Sequence, residues 1–158
     1  MKIMRRVRAV CAALMALCLI AAPLCARADL TARFIDVGQG DSCLITCDGE
    51  SMIVDGGTAD NSSKLVALMN ALDVDELKYM VNTHPHDDHV GGLCGPLNKV
   101  RVDAAYSSTL DYDQNYFISY KRYAQKQGVS LGTLSAGDTL KLGGADVYVL
   151  APIGDTAD

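Results

Sequence analysis

The sequence predicts a mixed α/β (α+β) domain built on a substantial sheet, and three observations carry that expectation. Short apolar runs joined by glycine-rich turns open the chain as a β-meander. Apolar residues then recur at helical spacing, and strand-like runs precede, separate and follow the helices. The length is 158 residues, with 49% apolar and 21% charged, which fits one globular domain rather than a disordered or fibrous chain.

The first strand is expected at Ala32–Val37 (ARFIDV), ending in the tight turn Gly38-Gln39-Gly40-Asp41. Ser42–Cys47 reads as the second strand, Asp48-Gly49 as a hairpin turn, and Ser51–Asp55 as the third strand, stopped by Gly56-Gly57. Asn61-Ser62-Ser63 supplies helix caps, and Leu65, Leu68, Met69 and Leu72 then recur at i, i+3, i+4 and i+7. Leu77–Asn82 is a mostly apolar, central strand that runs into Thr83–His89. Val100–Tyr106 reads as another strand. Asp113–Gln127 reads as a helix ended by Gly128, with Tyr112, Tyr116, Tyr120 and Tyr123 forming a packing stripe beside Phe117. Thr139–Leu142 and Asp146–Leu150 close the chain as a hairpin through Gly143-Gly144.

The N-terminus reads as a secretory signal over residues 1–28, leaving a domain at 29–158. Lys2, Arg5, Arg6 and Arg8 precede the apolar run Val10–Leu24, and Ala26-Arg27-Ala28 forms a small-x-small exit site. The run is short for a membrane span of about 20 residues. An uncleaved anchor is the alternative. The expected location is secreted or extracytoplasmic, with no membrane span after cleavage behind Ala28. Without its five basic residues the domain carries 9 basic against 19 acidic residues, a net charge of −10. No basic patch argues for nucleic-acid affinity by charge. Cys43 and Cys47, four residues apart on one strand and about 13 Å from each other, are too distant for a disulfide.

All three histidines of the sequence, His84, His86 and His89, fall within six residues, interleaved with Asp87 and Asp88. Pro85 holds His84 extended, so His84 and His86 can point to one side and grip one cation. Asp88 and His89 follow a turn and can face a second cation or the open side of the first. Imidazole with carboxylate suits Zn²⁺ and accepts Mn²⁺. Gly91-Gly92 leaves room for a tight turn beside the ions. A solvated polar loop without metal is the alternative.

His84-x-His86-x-Asp88-His89 matches the HxHxDH signature of metallo-β-lactamase-fold hydrolases. Phe34-Ile35-Asp36-Val37-Gly38-Gln39-Gly40-Asp41-Ser42, Ile53-Val54-Asp55-Gly56-Gly57 and Thr83–Gly92 together resemble the hydrolase domain of the DNA-uptake competence protein ComEC. The resemblance implies an αββα sandwich with one or two zinc ions at one edge. His84 and His86 would hold the first metal, Asp88 and His89 the second. Asp55 would support the histidine loop, and Asp36, Gly38, Gln39, Gly40 and Asp41 would form a loop at the site mouth. Read without the resemblance, that last stretch is only a tight turn. The implied chemistry is hydrolysis of a phosphodiester, nucleic acid or nucleotide, by a metal-activated water that Asp88 orients or deprotonates.

The family pattern also uses a later bridging Asp and a late His, and no histidine follows His89. Gly154-Asp155 imitates the bridging "GD" without an apolar strand before it. The expectation is therefore the N-terminal half of the sandwich, incomplete at the C-terminus, with one apolar sheet face short of a partner. Three readings stay open: a phosphodiester hydrolase, a non-catalytic metal-binding fragment, and a secreted β-lactamase. Oligomeric state is not legible.

Overall fold

The computed structural model describes residues 29–152; the expected signal segment and Gly154-Asp155 lie outside the described residues. A six-stranded sheet runs in the order β1 (Leu30–Phe34), β2 (Cys43–Cys47), β3 (Glu50–Val54), β4 (Glu76–Asn82), β5 (Arg101–Ser107), β6 (Leu131–Thr133). The first three strands are antiparallel, and β3 through β6 are parallel. Helices α1 (Ser62–Ala71), α2 (Asp87–Val90) and α3 (Cys94–Lys99) and the longer α4 (Asn115–Lys126) lie in the crossovers. A separate hairpin, β7 (Thr139–Leu142) with β8 (Ala145–Tyr148), completes the described fold.

One face of the sheet packs on the helices. Leu44, Ile53, Met80 and Ala105 meet Leu65 and Met69 of α1, Leu97 of α3, and Phe117, Tyr120 and Ala124 of α4, all almost fully buried. Each large apolar side chain buried there contributes about 1.5–3 kcal/mol. Phe117 and Tyr120 carry the packing of α4; Tyr123 and Tyr112 lie against the same core, while Tyr116 of the expected stripe points outward at 44% exposure. The opposite face is covered in part by the β7–β8 hairpin, which buries Leu142 against Cys47 and Met52. Phe34, Tyr148 and Leu150 remain exposed.

Several boundaries move. The first strand runs from Leu30 to Phe34, not Ala32 to Val37, because the backbone from Ile35 on folds into the loop that leads to Asp41. The third strand stops one residue before Asp55, whose φ of +55° turns the chain. Helix α3 and strand β6 have no counterpart among the sequence-based expectations. The Gln127 side chain ties the end of α3 to β5: Nε2 donates to the carbonyls of Leu97 (2.5 Å) and Val100 (2.7 Å), and Oε1 accepts from Val102 N–H. Cys43, Cys47 and Cys94 are free thiols. Cys94 packs against the core, and burial pushes its thiol up to about 11.

The hairpin is tethered by two carboxylates. Glu50 accepts from Gly143 N–H (2.5 Å) and Lys78 Nζ (2.6 Å), and Asp48 accepts from Asp29 N–H (3.0 Å) and Gly144 N–H (2.9 Å). Those bonds hold both carboxyls below their ordinary values of 4.5 and 3.8, the Gly143 N–H first for Glu50 and the Asp29 N–H first for Asp48. A depressed folded pKa gives stabilisation that is complete above the unfolded value and lost as pH falls through the folded one. Amide exchange at Leu140 and Val147 should therefore quicken below about pH 4, ahead of the central strands. In an Asp48→Asn, Glu50→Gln double variant it should already be fast at neutral pH. Equal protection of hairpin and central strands in acid would refute the tether.

Candidate metal centre

The parallel strands β3, β4 and β5 end side by side, and the chain leaves two of these ends into the histidine loop and its support. Beyond β4 the chain bends from Thr83 to His86, and His86 (φ −68°, ψ 153°) is extended where α2 begins at Asp87. The turn into α2 brings Asp88 and His89 back over His84. The rings of His84 and His89 stack with centroids 3.8 Å apart. His84, Asp88 and His89 each offer a donor atom, and these atoms lie within 4.8 Å of one another.

His86 stands outside that group. Its ring meets the edge of His84 at 4.9 Å between centroids and faces Tyr112 at 6.1 Å. The alternation that would put His84 and His86 on one side is broken by the bends from Thr83 to His86. Asp87 is also apart: its Oδ1 is buried without a hydrogen-bond partner, and burial, then the charge of Asp88, holds its carboxyl above the usual range.

Asp55 is buried beneath the loop at 2% exposure. Its Oδ2 accepts from His89 Nδ1 (2.9 Å) and Thr83 Oγ1 (2.5 Å); its Oδ1 accepts from Thr83 N–H (2.7 Å) and Asn82 Nδ2 (3.3 Å). With Nδ1 engaged, His89 keeps Nε2 free on the side of Asp88, 3.9 Å from Oδ1. Asn82 Nδ2 also donates to the His84 carbonyl (2.6 Å), and its Oδ1 accepts from Ser107 Oγ on β5 (3.0 Å). Asn82 and Ser107 are paired across the two strands and buried, so the loop is seated on the rigid sheet.

The glycine-rich loop after β1 closes over α2. Gly40 takes φ +94°, and a Cβ there would come within 1.8 Å of the Asp88 carbonyl oxygen. Gln39 Nε2 donates to Asp88 Oδ2 (3.3 Å). That bond is the main cause holding the Asp88 carboxyl below its ordinary value, and the neighbouring His89 adds to it. Asp36 stays at the loop's base, where Oδ1 accepts from Gly38 N–H (3.1 Å) and its carbonyl accepts from Lys64 Nζ. The Asp41 carbonyl accepts from Gly57 N–H (2.9 Å), linking this loop to the one after β3. Burial, then the adjacent His89 and His86, pushes His84 below the usual imidazole value.

Residues 35–156 match the family model described as the metallo-β-lactamase superfamily. The chain belongs to the metallo-β-lactamase superfamily. Solved structures agree on the metallo-β-lactamase fold. The metallo-β-lactamase SMB-1 in complex with mercaptoacetic acid is 20% identical with a TM-score of 0.57, over 76% of this chain and 49% of that one. A HARLDQ-motif mutant metallo-β-lactamase from Cronobacter sakazakii is 16% identical with a TM-score of 0.56, over 75% of this chain and 50% of that one. MEM-A1, a subclass B3 metallo-β-lactamase from a soil metagenome library, is 16% identical with a TM-score of 0.56, over 76% and 49%. The chain thus spans about half the length of the solved structures it matches. Comparison with curated proteins gives no match.

The side chains fit the divalent cation that membership of the metallo-β-lactamase superfamily implies. Two imidazoles and a carboxylate make a zinc-type donor set, and three protein ligands leave a position for water. Asp55 supplies the outer carboxylate that a ligating histidine usually bonds. Sequence reasoning missed Thr83, Asn82 and Ser107, ordinary polar residues at strand ends whose part is visible only once β4 and β5 are side by side. Beside His84, a cavity of about 400 Å³ opens under the hairpin, lined by Met52, Val54, Val81, Tyr106, Leu140 and Val147. Among the described residues, no helix is long and apolar enough to cross a membrane.

Proposed function

We infer that the chain is an exported metal-dependent hydrolase whose substrate is a phosphodiester of nucleic-acid or nucleotide type. The observation that carries the hydrolase reading is the convergence of His84, Asp88 and His89 donors within 4.8 Å at the end of the parallel strands. A zinc or manganese ion there supplies acidification of a water and polarisation of the scissile ester. His84 and His89 would help to hold it, with His86 on the exposed side. Asp88, whose Oδ2 accepts from Gln39 Nε2, would orient the attacking water or take its proton. Asp55 stays hydrogen-bonded behind His89 throughout.

The phosphodiester assignment is supported by the Asp36-Val37-Gly38-Gln39-Gly40-Asp41 stretch and its ComEC-like resemblance, together with the way that loop rests on Asp88. The acidic charge lends it no support. Zinc-loaded full chain should cleave bis(4-nitrophenyl) phosphate, and a chelator should stop it. His89→Ala should lower the rate at least 100-fold. Opening of a chromogenic cephalosporin without phosphodiester cleavage would overturn the substrate in favour of a β-lactamase. A second reading is metal binding without turnover: among the described residues one three-donor group forms, and His86 stands outside it. Zinc uptake with no hydrolysis of either substrate would establish it.

A further inference from the structure

The hydrogen bonds around Thr83 form a chain with a definite direction. Thr83 Oγ1 lies 2.5 Å from Asp55 Oδ2 and 3.2 Å from His84 Nδ1. A carboxylate has no proton to give, so the single hydroxyl hydrogen of Thr83 occupies the short contact with Asp55. The hydroxyl can then only accept at its other contact, and His84 must bring the proton there on Nδ1. His89 Nδ1 donates to the same Asp55 oxygen at 2.9 Å. Both neutral imidazoles therefore carry hydrogen on Nδ1 and an open lone pair on Nε2. Free imidazole side chains lack this bias, and the partner of one ring nitrogen is what decides which tautomer a protein histidine adopts. Thr83 itself is fixed, since its own N–H donates to Asp55 Oδ1 at 2.7 Å.

We propose that Thr83 is a positioning residue that extends the reach of Asp55 to His84, so that one buried carboxylate oxygen sets the tautomers of two metal-ligating histidines, one directly and one through a hydroxyl. The proposal rests on the metal-centre reading above and adds a residue outside the HxHxDH signature. It gives the threonine before His84 a task that its exposed position in the loop does not suggest.

The test compares the parent chain with Thr83→Val, which keeps the shape and removes the hydroxyl, and Thr83→Ser, which keeps the hydroxyl. Imidazole ¹⁵N shifts of the metal-free protein at about pH 8, where histidines are neutral, read the tautomers. Competition with a chromogenic chelator reads zinc affinity. In the parent and Thr83→Ser, His84 and His89 should both be protonated on Nδ1. In Thr83→Val, His84 should move toward the Nε2-protonated form while His89 stays as it was, and zinc affinity should fall about tenfold. An unchanged His84 tautomer and unchanged affinity in Thr83→Val would overturn the proposal. A parent chain that takes up no zinc would overturn the metal centre, and the His84 shift in Thr83→Val would then decide the relay alone.

Discussion

Replacing Asp55 by Asn is expected to weaken zinc binding by about 10- to 100-fold while the sheet and helices persist. The substitution changes one atom. At the position of Oδ2, an amide nitrogen would face His89 Nδ1 and Thr83 Oγ1, both of which now donate to it. His89 can accept there only by moving its proton to Nε2, the nitrogen that faces Asp88 and would hold the metal. The opposite amide orientation leaves the nitrogen against Thr83 N–H and Asn82 Nδ2, two donors 2.7 and 3.3 Å away. Either way a buried donor loses its acceptor, at about 1–3 kcal/mol. Asp55→Ala should cost more, since all four donors then lose the carboxylate and each buried one left unpaired costs about 1–3 kcal/mol. Chelator competition measures the first effect and urea unfolding of the metal-free chain the second. Parent-like zinc affinity in Asp55→Asn would mean that the His89 tautomer does not govern the site.

The sequence carried the fold class and most strands because they are apolar runs with turn residues between them, and a sheet buried on one face by helices needs that pattern. It failed where tertiary contacts replace periodicity. Helix α3 is a six-residue segment holding Gly95 and Pro96, and it forms because Leu97 fills the core and Gln127 caps its carbonyls. Strand β6 is three residues long and exists by pairing with β5. At the site, the His and Asp types and their spacing were legible, and the grouping was not. Simple alternation pairs His84 with His86, whereas α2 begins at Asp87 and swings His89 onto His84 instead. Asp55 was reached through resemblance alone. Its place depends on a left-handed backbone after β3, which nothing in Ile53-Val54-Asp55 announces.

Gly40→Ala should open the same site from its other side, and it separates the glycine-rich loop from the histidine loop as causes. The residue sits at φ +94°, where an L side chain costs about 1–3 kcal/mol before any contact is counted. The added Cβ would also meet the Asp88 carbonyl oxygen at 1.8 Å and its carbonyl carbon at 2.7 Å. Those are backbone atoms in the turn that carries Asp88 and His89, so a rotamer change cannot relieve the clash. One loop must lift from the other. If the glycine-rich loop lifts, Asp88 loses Gln39 and its carboxyl returns toward the ordinary value; if α2 shifts, His89 leaves Asp55 and His84. Gln39→Ala reproduces the first outcome alone and should change zinc affinity by only a few-fold, because that hydrogen bond is long and exposed. Gly40→Ala should lose at least tenfold more than Gln39→Ala, with the core unaffected in far-UV circular dichroism. Similar losses in the two variants would show that α2 holds its place without the glycine, and that only the Gln39 contact joins the loop to the metal centre.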